Sequence, residues 1–283
     1  MRERALDALA LVFAALGLVV AASFFAGALD SRLFWRTVSL LGSMEFYVAV
    51  LPVVYHSLGR LEAVGLSFSL LLAGTAVGVA KDFFKMPRPP GALEEGYGFP
   101  SGHAAGSTAF WGYLALQRPS SPLLLVSLTV VGLVSLSRLA LGEHYPVDVA
   151  GGVALGALAA ASTTLAAQRL GLRYMLGLSL AVGATGLALF LAGYGVLEPP
   201  AVLLGFALGE LALNRLLGRG AEARAGPLLG ALGSLSAAIA VALARLSDHL
   251  ALEVLLFAAA GALAVVVPKI VKARLDSGKR AES

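Results

Sequence analysis

Three short stretches of the sequence carry side chains that suit the binding of a phosphoryl group. Lys81, Arg88 and Arg138 supply positive charge; arginine matches phosphate with a planar fork of donors, and lysine acts as a point charge. Ser101 and Gly102 follow a proline and are placed to open a helix. The backbone amides of a helix's first turn lack partners within the helix, so they form a ready anion site.

Two histidines and an aspartate complete the set with groups that a bond-breaking step needs. His144 stands just before a helix predicted to start at Pro146, with Asp148 in its first turn. The carboxylate can reach back to one imidazole nitrogen and fix the tautomer, leaving the other nitrogen as a nucleophile. His103, at the start of another helix, can protonate a leaving oxygen as a general acid.

The composition indicates an integral membrane protein. Of the 283 residues, 58% are hydrophobic and 13% are charged, whereas soluble domains carry about 25% charged residues. The absence of cysteine excludes disulfides and thiolate metal sites, and four scattered histidines favour chemistry without a metal or other cofactor. In so apolar a chain, the basic pI of about 9.5 is better explained by anchored cytoplasmic loops than by nucleic-acid binding.

Ten apolar segments are long enough, or nearly so, to cross a bilayer, which needs about 20 residues. They predict an all-α, polytopic transmembrane helical bundle whose short connections make neighbours antiparallel. A charged start also makes the first segment resemble a signal peptide, but no small-residue cleavage site follows, so we interpret it as a retained helix. The segments are 5–28, 38–58, 62–82, 102–117, 122–140, 146–167, 174–194, 199–216, 227–246 and 251–270.

The distribution of positive charge predicts which face holds the three stretches. With the N-terminus in the cytoplasm, 14 of the 21 lysines and arginines fall on the cytoplasmic side, which agrees with the positive-inside rule. Connections from odd to even segments then emerge together on the outer face, and all three stretches lie there. The outer cations are Arg32, Arg36, Lys81, Lys85, Arg88, Arg138 and Arg245.

The spacing of these residues resembles a known signature. Lys-x6-Arg-Pro, then Pro-Ser-Gly-His, then Ser-Arg-x5-His-x3-Asp is similar to the three-part motif of the type 2 phosphatidic acid phosphatase (PAP2) superfamily. The resemblance implies a helical core shared with vanadium haloperoxidases and a metal-independent mechanism. It implies that His144 becomes phosphorylated, that Asp148 supports it and that His103 is the general acid. The phosphate oxygens would be held by Lys81, Arg88, Ser101, Gly102 and Arg138.

The chain is longer than this resemblance explains. Lipid-processing members of the family have about six spanning helices, whereas this chain has ten apolar segments. We expect the whole chain, 1–283, to form one membrane domain. Its phosphatase core would cover 1–169, with the motifs at 81–148 and additional helices at 170–283. Short fragments also resemble the glucose-6-phosphatase branch: Phe46-Tyr47, Leu51-Pro52, His56, Glu62-Ala-Val-Gly65 and Val267-Pro268.

Three hypotheses for function follow. The leading one is hydrolysis of a lipid or isoprenoid phosphate or diphosphate, such as phosphatidic acid, phosphatidylglycerol phosphate or a polyprenyl diphosphate, with membrane lipids as the partners. The second is a sugar phosphatase of the glucose-6-phosphatase type. The third is a phosphate-binding transporter or flippase, although the sequence has no inverted repeat and no pair of broken helices in corresponding halves.

Acidic residues outside the three stretches are interpreted as solvent-exposed or as structural ion-pair partners rather than as catalytic groups. Glu94 and Glu95 lie in the glycine-rich loop 90–99, which is interpreted as a lid or a connector. Because a carboxylate would repel phosphate, both are expected to point into solvent. Structural pairing is expected for Glu45 and Glu210, with His56, Asn214 or each other.

Overall fold

The computed structural model describes residues 31–216 and 226–281, and this part of the chain holds ten helices joined by loops, with no strand. The predicted all-α class is confirmed. The ten helices are α1 (Ser31–Leu40), α2 (Met44–Ser57), α3 (Arg60–Phe84), α4 (Gly102–Gln117), α5 (Ser121–Ala140), α6 (Pro146–Leu170), α7 (Leu172–Leu191), α8 (Glu198–Leu216), α9 (Pro227–Arg245) and α10 (Leu250–Ala281).

Six helices in the described part are long and apolar enough to cross a membrane, so the chain is a multi-pass membrane protein. They are α3, α5, α6, α7, α9 and the Leu250–Ser277 part of α10. Helix α4 has 16 residues, a length of about 24 Å against a hydrocarbon core of about 30 Å. Helix α8 was also predicted to span the membrane but is not among the six; it carries the charged residues Glu198, Glu210 and Arg215. The predicted segment 5–28 lies outside the described residues.

The predicted segment 38–58 is not one continuous helix, because the chain turns at 41–43 between α1 and α2. Counted together, these two helices are long and apolar enough to form one further, broken span. Gly42 sits in this turn against two side chains from distant parts of the sequence. A β-carbon there would lie 2.6 Å from Val134 Cγ1 and 3.2 Å from His103 Cβ. The turn therefore depends on a close approach that only glycine allows, which apolarity along the chain does not reveal.

The described residues group into two compact units. The first holds residues 31–43 and 76–164, and the second holds 44–75, 165–216 and 226–281. Helices α3 and α6 therefore contribute residues to both. The single membrane domain with a core at 1–169 stays a prediction.

Within the first unit, α6 packs directly against the backbone of α4. A β-carbon at Gly152 or Gly156 would collide with the carbonyl oxygen of Ser101 or Ala105. Small residues at such positions let two helices approach closely. At the same end, the Ser101 N–H donates to the Asp148 carbonyl oxygen at 2.9 Å. This contact holds the start of α4 beside the first turn of α6, where two of the three stretches lie.

Within the second unit, buried charge is neutralised by ion pairing. Glu210 on α8 is fully buried and pairs with the guanidinium of Arg60 and, at 2.7 Å, with Lys269 Nζ. Glu45 forms an exposed pair with Arg245 at 3.1 Å. Structural pairing of both glutamates is therefore observed, with cations that the sequence analysis did not suggest. A buried carboxylate such as Glu210 is tolerated when cations pair with it in this way.

Candidate active site

The ends of four helices in the first unit bring the sequence-predicted site residues to one end of that unit. Their places are Lys81 in the last turn of α3, Arg88 in the loop that follows, Ser101, Gly102 and His103 at the start of α4, Arg138 in the last turn of α5, and His144 and Asp148 around the start of α6. The positive charges of Arg88, Arg138 and Lys81 all act on His144, so these residues lie close to it.

His144 is held between a carboxylate and a guanidinium. Its Nδ1 donates to Asp148 Oδ2 at 3.3 Å, and the same oxygen accepts the Tyr145 N–H at 2.9 Å. On the other side of the ring, Arg88 Nη1 lies 3.2 Å from Nε2 and donates to it. With Nδ1 protonated against the aspartate, the Nε2 lone pair faces the cations.

The surroundings of His144 favour the neutral imidazole. Burial, followed by the positive charges of Arg88, Arg138 and Lys81, lowers the pKa of His144 from 6.5 to about 3. Asp148 forms the hydrogen bond at Nδ1, yet burial and cations outweigh it. Neutral imidazole is the protonation state that a nucleophile requires.

This pKa predicts that the His144 ring stays neutral between pH 7 and pH 5, where an ordinary histidine becomes protonated near pH 6.5. The unfolded chain binds this proton from about pH 6.5 downward. The folded chain does not, so acid destabilises the fold through His144 as the pH falls toward the lowered pKa. NMR of histidine-labelled, ligand-free protein measures the ring state, with His144→Gln assigning the signal. An imidazolium signal from His144 at pH 6 would contradict the prediction.

Two arginines, Arg88 and Arg138, provide fixed positive charge at the site. Arg138 is only 2% exposed, and its Nη1 donates to Ser39 Oγ at 2.6 Å. Arg88 Nη1 also donates to the Glu143 carbonyl oxygen at 3.0 Å. These bonds fix both guanidinium planes, and an arginine fixed in this way loses little freedom when it binds an anion.

Several buried polar atoms here have no hydrogen-bond partner within the described chain. Three of them are donors, the Nε atoms of Arg88 and Arg138 and the hydroxyl of Ser101, and one is an acceptor, Asp148 Oδ1. A buried donor that stays unpaired costs free energy, about 1–3 kcal/mol for each group. Three such atoms around one histidine indicate a place where a ligand with several acceptor oxygens binds.

The start of α4 and the end of α3 add donors to this place. Ser101 precedes the helix as predicted, but its side chain forms no capping hydrogen bond and is fully buried. Gly102, the first residue of α4, presents a first-turn amide that has no acceptor within the helix. Lys81 Nζ donates to the Tyr97 carbonyl oxygen at 2.9 Å, which ties the end of α3 to the loop over the site.

The expectation that Glu94 points into solvent is wrong. Its carboxylate forms an ion pair with Arg88 Nη2 at 3.1 Å and a closer one with Arg138. Burial raises the pKa of Glu94, but Arg138, His103 and Arg88 outweigh it and the pKa lies below its ordinary value. An anionic oxygen pair is therefore already held between the two arginines. Glu95 is exposed, as expected.

Glu143 is a site residue that the sequence analysis missed. It is 5% exposed, and its two carboxylate oxygens accept the backbone N–H groups of Leu93 at 3.2 Å and Glu94 at 3.1 Å. It therefore fastens the loop that carries Glu94. Its position inside the third stretch, directly before His144, was the available signal.

His103 stands at the start of α4, where its charge contributes to the low pKa of Glu94. Among the described residues, no group of three or more histidine, aspartate or glutamate side chains is arranged to hold a metal ion. The arrangement therefore offers a neutral, oriented imidazole, a second histidine and a set of fixed cationic donors. These groups can bind a phosphoryl group and attack its phosphorus.

Comparison with known proteins finds similarity to phosphatases. The sequence model of the PAP2 superfamily matches residues 62–172, a range that contains every residue of the three stretches. No solved structure matches the chain.

Two curated proteins are similar to part of the chain. Dihydrosphingosine 1-phosphate phosphatase YSR3 of Saccharomyces cerevisiae is 33% identical over 148 residues, which cover 44% of this chain and 36% of the relative. Sphingosine-1-phosphate phosphatase 2 of Homo sapiens is 33% identical over 132 residues, 42% of this chain and 33% of the relative. The chain thus spans about a third of the length of these relatives.

Proposed function

We propose that this chain, whose residues 62–172 belong to the PAP2 superfamily, is a membrane phosphatase that hydrolyses lipid phosphate esters through a phosphohistidine. One observation carries the proposal: His144, oriented at Nδ1 by Asp148, directs Nε2 toward the guanidinium of Arg88. A phosphoryl group bound by the arginines would therefore lie next to a neutral nucleophile.

In the first step, the phosphoryl oxygens are bound by Arg88, Arg138 and Lys81, with the hydroxyl of Ser101 and the amide of Gly102. These groups stabilise the charge that spreads over the oxygens as the ester bond breaks. Their buried unpaired donors then gain acceptors, which favours the bound state.

The covalent step exchanges one bond to phosphorus for another. His144 Nε2 forms a P–N bond while the P–O bond to the alcohol breaks, and the leaving oxygen takes a proton from His103. Asp148 stabilises the positive charge that the His144 ring then carries. Water attacks the phosphohistidine and passes a proton to His103, the P–N bond breaks, and inorganic phosphate leaves with His144 restored.

The substrate class is a phosphate with an apolar tail. Helices long and apolar enough to span a membrane begin or end at the site residues, so a tail can stay in the bilayer while the phosphate reaches the cations. Both curated relatives are named as phosphatases of sphingoid-base phosphates. These features favour a lipid or isoprenoid phosphate over a sugar phosphate or a transported ion.

A substrate panel tests this proposal. Purified full-length protein is assayed for phosphate release from phosphatidic acid, a sphingoid-base phosphate, a polyprenyl diphosphate and glucose 6-phosphate. We expect lipid substrates to have kcat/KM values at least about tenfold above that of the sugar phosphate. Because the mechanism uses a histidine nucleophile, EDTA should leave the rate unchanged. Preference for glucose 6-phosphate, or a strong loss with EDTA, would overturn the substrate class or the mechanism respectively.

The same assay, run in sealed vesicles of known orientation, tests on which side of the membrane the active site lies. The positive-charge asymmetry favours a site outside the cytoplasm. A short-chain, membrane-impermeant lipid phosphate should therefore be hydrolysed by right-side-out vesicles before any detergent is added. Hydrolysis by intact inside-out vesicles alone would place the site on the cytoplasmic face.

A further inference from the structure

In the ligand-free chain, a carboxylate occupies the position between the two arginines that a phosphate would need. One oxygen of Glu94 pairs with Arg88 and the other with Arg138. Two oxygens held by two guanidinium groups reproduce part of the contact that a phosphoryl group makes. Both arginine side chains are nearly buried, at 8% and 3% exposed, so without an anion they would be unpaired charges.

Glu94 reaches this position from the solvent side. Its side chain is 38% exposed, far more than either arginine, and it belongs to a loop rather than a helix. Gly91 and Gly96 flank it with φ values of 86° and 81°, and a β-carbon at either glycine would meet nothing within 4 Å. The segment between them is therefore bounded by permissive, uncrowded residues, and Glu143 fastens its middle through two amides.

Building on the proposed phosphatase function, we propose that Glu94 is a specificity-determining residue that fills the phosphate site and is displaced only by a doubly charged phosphoryl group. A terminal phosphate brings two negative charges and three acceptor oxygens, more than the carboxylate it replaces. A phosphodiester brings one charge and two such oxygens, which gives it no advantage over Glu94.

This competition would matter in a bilayer. Phosphodiester headgroups are abundant there, and an open pair of arginines would bind them. With Glu94 in place, the arginines exchange one anion for another only when the incoming anion carries more charge. The chain thereby distinguishes terminal phosphates from phosphodiesters through a competing anion as well as through attractive contacts.

Equilibrium binding to the full-length protein in detergent tests the inference. The ligands are inorganic phosphate, vanadate and the singly charged diester dimethyl phosphate. Glu94→Gln keeps the side chain's size but removes its charge, and Glu95→Gln is the matched control on the exposed neighbour. We expect Glu94→Gln to bind phosphate and vanadate about tenfold more tightly and to bind dimethyl phosphate measurably, with the control unchanged. Unchanged or weaker phosphate binding by Glu94→Gln would overturn the inference.

A second variant covers the case in which Glu94→Gln does not fold. Glu143→Gln leaves the charge of Glu94 in place and weakens the hold on the Leu93 and Glu94 amides. A looser loop should also tighten phosphate binding, by a smaller factor of about two to five. Unchanged phosphate affinity in a folded Glu143→Gln protein would equally contradict the proposal.

Hydrolysis assays separate this inference from the proposed function. If the wild type releases no phosphate from any monoester while Glu94→Gln still binds phosphate more tightly, the phosphatase function fails and the competition stands. If the wild type is active and Glu94→Gln does not bind phosphate more tightly, only the competition fails. A loss of kcat of about 100-fold in Glu94→Gln without a gain in affinity would place Glu94 in the chemistry and overturn its proposed role.

Discussion

Replacement of His144 by alanine is expected to lower kcat by about 10⁴-fold or more, because the variant has no group that can form the covalent intermediate. The imidazole Nε2 beside Arg88 is the nitrogen that the arrangement directs at a bound phosphoryl group. Direct attack by water would proceed without this positioned nucleophile, so residual turnover should be slow. The measurement is phosphate release from a short-chain lipid phosphate by the purified variant.

The proposed phosphohistidine intermediate, which is acid-labile, gives a second readout of the His144→Ala substitution. Wild-type protein quenched during turnover with labelled substrate should carry phosphate on a histidine, and His144→Ala should carry none. His249→Ala is the matched control, since His249 is exposed and lies in the second unit, outside the site. Retention of more than about a tenth of the wild-type rate by His144→Ala would exclude the phosphohistidine mechanism.

This substitution also separates an enzyme from a transporter. A protein that only binds and moves phosphate needs the cations more than it needs a nucleophile, so His144→Ala should keep much of its transport. The enzyme should lose turnover but keep phosphate binding, because Arg88 and Arg138 are held by contacts that do not depend on the imidazole.

The helices from α3 onward were predictable because each is encoded by a local apolar run. The predicted segments 122–140 and 146–167 correspond to α5 and α6 within a few residues, and Pro146 opens α6 as expected at a first helical position. The turn at 41–43 was not predictable in this way. It rests on Gly42 packing against His103 and Val134, a contact between residues far apart in the sequence.

The packing that joins α4 to α6 was also hidden from the sequence analysis. Gly152 and Gly156 read as ordinary small residues in an apolar run, yet a side chain there would strike the α4 backbone. The identity of the contacting helix is a long-range property. Likewise, buried Glu210 was expected to be paired, but a sequence cannot show that its cations come from α3 and α10.

Glu94 shows where the electrostatic argument from sequence was incomplete. The expectation that it avoids the site considered only the substrate-bound state, in which a carboxylate repels phosphate. In the free chain, Arg88 and Arg138 are buried, and two unpaired cations would cost more than a carboxylate between them. Glu143 escaped notice for a related reason: its burial depends on amides of residues 93 and 94, whose loop conformation is not encoded locally.

The substitution Asp148→Asn is expected to lower kcat by about 10³-fold while leaving KM within a few-fold of the wild-type value. When Nε2 bonds to phosphorus with Nδ1 still protonated, the His144 ring becomes cationic. Burial and three nearby cations already disfavour a positive charge on this ring. Asp148 is the fully buried anion within reach of Nδ1, so its charge acts mainly when the ring becomes positive.

An asparagine preserves the shape of Asp148 and can still accept the Tyr145 N–H, so the start of α6 should keep its structure. It removes the negative charge. In the opposite amide orientation its amino group takes the place of Oδ2, loses the Tyr145 N–H and favours the tautomer that puts a proton on the attacking nitrogen. Both effects lower the rate of attack without touching the arginines that bind phosphate. A rise in KM with unchanged kcat would mean that Asp148 serves substrate binding, and the assignment of His144 as its oriented nucleophile would lose its support. Steady-state kinetics beside Asp148→Glu, which restores the charge with a longer reach, distinguishes lost charge from lost geometry.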